Sequence, residues 1–395
     1  MTHSVPVQVE TRGEVDDRPP PRRLVLLFDG TWNKREDTTN VWRMRMLLRP
    51  SEDQLVYYDE GVGTQKGERF TGGALGSGIS AKVLNGYLWL MEHFESADES
   101  LRRADDEIYV FGFSRGATCA RSLVGFLSIC GLLHMDAATR IRDAFELSRV
   151  EGMAEGHPVA RRFRARHSRV AAIRFLGLWD TVQSLGVPKV SSLPEIKLPW
   201  FEHNALHKVV ELPSIVREAR HALALDERRL AFDATLWPSA RPRQTMEQRW
   251  FIGSHANVGG GYERDGLFRR PLQWLRSHAE AAGLKFRRPL VRLGDAFYET
   301  APRDSLGEIG YGMYYAIQGF KAHTRRVALG GATHECLDYT VLERWLWLPE
   351  YQPAALQAIL GSKQRRKPPG PKLDDAQISA LLTPRSISRT RGYVF

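Results

Sequence analysis

Cysteine is scarce in this sequence: three occur in 395 residues, Cys119, Cys130 and Cys336. So few exclude a disulfide framework and suit a reducing compartment. Cys119 and Cys130 fall on one predicted helix, ~16 Å apart at about 1.5 Å per residue, which is too far to bridge, and they read as core residues. A run of about eighteen apolar residues is missing too, which excludes a membrane-spanning helix. The N-terminal stretch "MTHSVPVQVETRGEVDDRPPPRRL" lacks the apolar centre of a secretory signal peptide. The expected location is the cytoplasm, or a destination reached by export that needs no signal peptide. The glycine-rich "NVGGGY" has neither G-x-x-x-x-G-K-[ST] nor G-x-G-x-x-G spacing, which argues against a nucleotide cradle.

Hydrophobic residues make up 43% of the chain, and the formal net charge is +10. The first value allows one large core. The second favours anionic partners, and peripheral contact with an anionic membrane is the expected one. Residues 1–22 are polar and Pro-rich and read as a disordered segment, 23–362 as the folded body, and 363–395 as a basic tail opening on "KQRRKPPGPK". Apolar strands at "RLVLLFDGTWN", "QLVYY", "EIYVFGF", "AAIRFLGLWDTV" and "EQRWFIGSH" alternate with helical "AKVLNGYLWLMEHFESADE" and "GATCARSLVGFLSICGLL". That alternation predicts an α/β fold, a mainly parallel sheet with helices on both faces.

The stretch "YVFGFSRGATCARS" contains G-x-S-x-G (Gly112, Ser114, Gly116) with a strand before it and a helix after. A serine at the apex of a sharp strand-to-helix turn presents its hydroxyl above the sheet, and glycines two positions away let strand and helix approach without Cβ clashes. The helix N-terminus then aims its N–H groups at any oxyanion formed there. Ser114 is the candidate nucleophile.

A serine needs a base to take its proton and an acid to orient that base. Asp180 ends "FLGLWD" and His255 ends "RWFIGSH", which reproduces the order serine, acid, histidine with each at the end of a strand. Asp226 in "ALALDERR" is the rival acid. None of His203, His207, His221 and His278 leaves a predicted strand into a glycine-rich loop, whereas Gly259, Gly260 and Gly261 follow His255 and allow a tight turn that holds the imidazole over Ser114. The oxyanion donors expected are the N–H of Arg115 and a second from Gly30 or Thr31 in "FDGTWN". An apolar strand ending in "DGT" also suggests aspartate-nucleophile phosphohydrolases, but the second aspartate their motif needs is replaced by Thr31. The reaction so assembled requires no metal and no organic cofactor.

At "LFDGTWN", "YYDEGVGT", "DEIYVFGFSRGATCARSLVGFLSICGLL", "FLGLWDTVQSLG", "HALALDERRLAF" and "EQRWFIGSHANVGGGY" the chain resembles an α/β-hydrolase family long labelled a domain of unknown function. That family includes the catalytic domain of the first family of type VI secretion lipase effectors. The resemblance covers roughly residues 23–285. It implies an α/β-hydrolase fold, a serine hydrolase with Ser114, Asp180 and His255 as triad, and an ester or phospholipid as substrate. Where the family often shows S-D-V after the histidine, this chain has Ala256, Asn257 and Val258, so the charge of an aspartate at 257 is lost. The part beyond the resemblance is expected to be too short for the large extra domain of membrane-targeting effectors.

Residues 184–215 form an insertion between acid and base whose Leu198, Trp200 and Phe201 suggest a lid. Trp200, Phe201 and Tyr262 are the expected substrate contacts. Two rival functions stand beside the phospholipase: a general esterase for small soluble esters, and a silent hydrolase fold kept as a binding module. Nucleic acid is not an expected partner, because "ARRFRARHSR" has Phe163 as its one stacking aromatic and reads as a solvated helix face.

Overall fold

The computed structural model describes residues 21–30, 38–60, 72–96, 105–182, 211–262, 265–289, 300–305 and 322–360. The chain starts its sheet with β1 (Arg23–Phe28), β2 (Gln54–Asp59) and β3 (Glu107–Phe113). A small antiparallel ladder follows, β4 (Leu132–Leu133) with β5 (Ser168–Arg169). The remaining strands are β6 (Ile173–Trp179), β7 (Glu218–Ala224), β8 (Thr245–Phe251) and β9 (Glu335–Leu337). Apart from the β4–β5 ladder they form one seven-stranded sheet in the order β2-β1-β3-β6-β7-β8-β9. Every neighbouring pair in it is parallel.

A parallel sheet is covered on both faces, so its strands are apolar almost throughout. Leu24, Leu26 and Phe28 of β1 pack with α2 (Gly72–His93) and α3 (Arg115–Cys130), while Val25 and Leu27 turn to the opposite face, towards α1 (Asn40–Leu47) and α7 (Arg269–Ala281). Behind α3 lie α4 (Ile141–Arg149) and α5 (Pro158–His167). Helix α6 (His255–Gly259) follows β8 at the sheet edge. A third cluster joins Leu223, Trp250 and Ile252 to Val341, Leu342 and Trp345 of α8 (Tyr339–Trp347) and to Ala355 and Leu356 of α9 (Ala354–Leu360).

Val83, Tyr87, Leu90, Met91 and Phe94, the expected apolar face of α2, are all buried. The helix itself begins earlier than its periodicity suggests, at Gly72, and ends at His93. Strand β7 is not signalled by its residues, because alanine is a poor strand former. Between β6 and β8, however, the small side chains of "EARHALA" let the sheet continue under neighbouring tryptophans. Cys119 and Cys130 are buried free thiols on α3, and burial pushes both up to about 12. On α5, Arg161, Arg162 and Arg166 are exposed. Arg164 instead turns inward to donate to the Ser128 and Ile129 carbonyls at 3.2 and 2.7 Å, near the end of α3. Most of the 184–215 insertion and the 363–395 tail lie outside the described residues; Leu212 is in the core.

Candidate active site

Because every strand of the main sheet runs the same way, the residues that follow β1, β3, β6, β7 and β8 all emerge at one edge. Ser114 follows β3, Asp180 follows β6, Asp226 and Glu227 follow β7, and His255 follows β8. The Ser114 N–H donates to the Trp179 carbonyl at 3.1 Å, and the Asp180 N–H to the Ala222 carbonyl at 2.7 Å. These bonds fix the ends of the adjacent strands β3 and β6, and of β6 and β7, against each other.

Ser114 caps α3 with φ 57° and ψ −124°, a left-handed conformation that costs a non-glycine residue about 1–3 kcal/mol. The glycines around it are demanded by space. A Cβ on Gly116 would stand 2.2 Å from the Phe28 carbonyl oxygen, and one on Gly112 would stand 2.5 Å from the Gly116 carbonyl oxygen. Arg115 opens α3, and the N–H groups of a first helical turn have no intrahelical acceptor.

The imidazole of His255 is buried. Its Nδ1–H donates to Asp180 Oδ2 at 2.6 Å, and an ionised carboxylate can only accept, so Nε2 carries the lone pair. Nε2 has no hydrogen-bond partner among the described residues. The ring lies 4.7 Å from the ring of Phe113, the residue before Ser114, and meets the Phe232 ring edge-on at 5.0 Å. Gly259 closes this packing, since a Cβ there would come within 1.9 Å of the Phe113 ring.

Asp180 is buried at φ 40° with all its acceptor positions occupied. Oδ1 accepts from Arg325 Nη1 at 2.6 Å and from the Ala224 N–H at 3.0 Å; Oδ2 accepts from His255 and from Arg325 Nη2 at 3.0 Å. Burial alone would raise this carboxyl, but the Arg325 charge and the His255 hydrogen bond hold it well below the usual carboxylate range. Burial, only partly offset by Asp180, lowers His255 below its ordinary value.

Around these groups lie residues whose part in the site the sequence did not disclose. Glu227 Oε2 accepts the His255 N–H at 3.1 Å, and the carboxylate pairs with Arg229 through two bonds of 2.8 Å. Against burial, that pairing holds Glu227 down at about 2. The Arg229 guanidinium lies 3.6 Å over Phe232. "LDERR" stood among the family-like stretches, but nothing in it distinguished Glu227 from Asp226. The rival acid Asp226 instead accepts from the Gly253 N–H at 2.6 Å and the Tyr351 hydroxyl at 3.0 Å, and burial raises it to about 6. His221 is a core residue: its Nε2 accepts the Thr181 N–H at 3.0 Å and burial lowers it to about 3.

Of the two oxyanion donors considered on the first loop, Gly30 gives its N–H to Asp29 Oδ1 at 2.7 Å, while Thr31 lies outside the described residues. Asp29 also accepts from the Thr39 and Tyr58 hydroxyls at 2.7 and 2.9 Å, which makes it a loop anchor. Tyr262 lies beneath the Arg303 guanidinium at 4.7 Å. Trp200 and Phe201 lie outside the described residues. Asn257 bonds through Oδ1 to the Ser254 N–H at 2.9 Å and through Nδ2 to Asp265 at 3.0 Å. The neutral side chain therefore stands beside a carboxylate, where an aspartate would have faced a like charge. Among the described residues no cluster of His, Cys, Asp and Glu could hold a metal ion, and no helix is long and apolar enough to cross a membrane.

Residues 22–278 match the family described as the Tle1-like phospholipase effector catalytic domain of the type VI secretion system (T6SS). The uncharacterised protein YEL023C of Saccharomyces cerevisiae is 28% identical over 239 residues, which cover 53% of this chain and 32% of the yeast protein. The chain thus spans about a third of the length of that relative. Among solved structures, the Tle1 effector bound to the VgrG spike is 19% identical, with a TM-score of 0.37 over 66% of this chain and 56% of that one. An uncharacterised Pseudomonas aeruginosa protein is 18% identical, with a TM-score of 0.43 over 91% of this chain and 57% of the other.

Proposed function

The chain belongs to the family of Tle1-like phospholipase effector catalytic domains, and on that premise we propose that it is a serine ester hydrolase acting on phospholipids through Ser114, His255 and Asp180. The observation that carries this reading is the His255–Asp180 bond of 2.6 Å, which leaves Nε2 as the free basic atom at the sheet edge where Ser114 is held in its strained turn.

In the proposed reaction His255 Nε2 takes the Ser114 proton as Oγ attacks an ester carbonyl. The Arg115 N–H and the positive end of α3 stabilise the oxyanion, with Thr31 or a released Gly30 N–H as second donor. Asp180 keeps Nδ1 protonated and stabilises the imidazolium. The imidazolium then returns its proton to the leaving alcohol, and water repeats the sequence on the acyl-enzyme. The net charge of +10 supports an anionic surface as the place where substrate is met. Membership of an effector family supports export without a signal peptide. It also supports delivery in company with a secretion spike, the kind of partner to which the related Tle1 effector is bound.

Fluorophosphonate labelling tests the nucleophile. Label should map to Ser114 and vanish in Ser114→Ala, and the wild type should hydrolyse phospholipid vesicles faster than short soluble esters. Equal labelling of the variant would refute the nucleophile; turnover of short esters alone would leave a general esterase.

A further inference from the structure

Resting on the triad reading, we propose that Arg325 is a positioning residue for the reaction: its fork fixes the Asp180 carboxylate, and through it the His255 imidazole, and takes up part of the carboxylate's negative charge.

Arg325 lies beyond the family-matched residues 22–278 and 145 positions from Asp180, with its side chain fully buried. Its fork spans both carboxylate oxygens at 2.6 and 3.0 Å. The same two nitrogens donate to the Ala224 carbonyl at 2.7 Å and to the Phe232 carbonyl, so the guanidinium ties the ends of β6 and β7 together. Its own segment is fastened to that loop, with the His323 N–H on the Arg228 carbonyl at 2.9 Å and His323 Nε2 on Asp233 at 3.0 Å. An aspartate could be oriented by the Ala224 N–H and His255 alone. The arginine adds a planar double contact that fixes the rotamer, and a positive charge on the carboxylate whose Oδ2 it shares with His255.

That charge has a direction of effect. Asp180 draws a proton towards His255, and Arg325 weakens the draw. The other charged groups facing the cluster are Arg229 and Glu227 on the loop after β7, Asp233, His323, buried His221 on β7 and Arg121 on α3. Glu227 and Arg229 offset one another across their paired contact. Within this group and among the described residues, Arg325 is the cation in direct contact with Asp180.

The experiment measures the fluorophosphonate inactivation rate against pH for wild type, Arg325→Met, Arg325→Lys and Ser114→Ala, alongside the titration of the low-field proton resonance of His255 Nδ1–H. Arg325→Met should move the acid limb and the resonance midpoint up together by about one pH unit and lower the plateau rate roughly tenfold or more. Arg325→Lys should keep the limb near its wild-type position, because the charge remains, while the plateau still falls, because the fork is lost. A folded Arg325→Met with limb and resonance indistinguishable from wild type would overturn the proposal. If that variant does not fold, Arg325→Gln, which keeps a donor to Asp180 without the charge, carries the same test, and a limb and resonance indistinguishable from wild type there would equally overturn the proposal. Labelling of Ser114→Ala at the wild-type rate would instead sink the nucleophile reading, and the His255 resonance would still report on Arg325.

Discussion

Asp180 and Asp226 stand on neighbouring strand ends, and their surroundings send them in opposite directions. Asp180 faces a cation and a histidine; Asp226 faces an amide and a phenol. Asp180→Asn should lower turnover by roughly 10³–10⁴-fold, the scale on which a triad loses its correct imidazole tautomer. Buried Arg325 makes the substitution costly for the fold as well, because its guanidinium loses its carboxylate, and thermal unfolding should show a loss of about 3–5 kcal/mol. Asp226→Asn should leave turnover within about threefold of wild type, since Asp226 serves a buried loop. It should also flatten the pH dependence of stability. A carboxyl whose folded value is raised to about 6 contributes stability below its ordinary 3.8 and loses it as pH rises through 6. The difference is about 3 kcal/mol at neutral pH, readable by denaturant titration at pH 4 and pH 7. For His255 the shift runs downward, so the midpoint of the acid limb of the inactivation rate should lie below the ordinary histidine value, read from the rate against pH.

The turn at Ser114 and the short helix α6 act as a matched pair of elements. Gly112 lets α3 fold back on β3, Gly116 lets it close on β1, and Gly259 seats α6 on the Phe113 ring. Gly259→Ala should force that ring or the helix to move, costing about 1–3 kcal/mol and displacing the imidazole, so turnover should fall further than stability does. A crystal structure with His255 unmoved would contradict this. Asn257→Asp should place two carboxylates side by side at the base of α6 and make the protein less stable as pH rises above the carboxylate range, measured by melting temperature against pH. How legible these elements were depended on how local their causes are. The strand, turn and helix around Ser114 could be read because all three signals lie within a few residues. Strand β7 could not, because what makes "EARHALA" a strand is its position between β6 and β8.

For the whole molecule, the uniform direction of the strands is what turns separate loops into a site. The C-terminal segment belongs to that architecture: β9 extends the sheet, α8 and α9 cover Leu223, Trp250 and Ile252, and Arg325 reaches the acid. A chain ended after residue 289 should therefore lose both the cover and the clamp. With roughly 1.5–3 kcal/mol for each large apolar side chain exposed, it should aggregate or unfold at temperatures the full chain withstands, and label poorly with fluorophosphonate. The net charge of +10 acts at the same level: vesicle hydrolysis should rise with the anionic lipid fraction and fall as salt is added.

The turn chemistry at Ser114 and the apolar alternation of a two-faced sheet are properties of short stretches, and the amino-acid sequence specified them outright. The clamp of Asp180 between His255 and Arg325, the ion pair of Glu227 with Arg229, and the reach of Arg325 across 145 positions came with the folded arrangement. The division has one physical cause. Turn strain and hydrophobic period act between neighbours along the chain, whereas charge pairing acts between neighbours in space, and the sheet determines which residues become those neighbours.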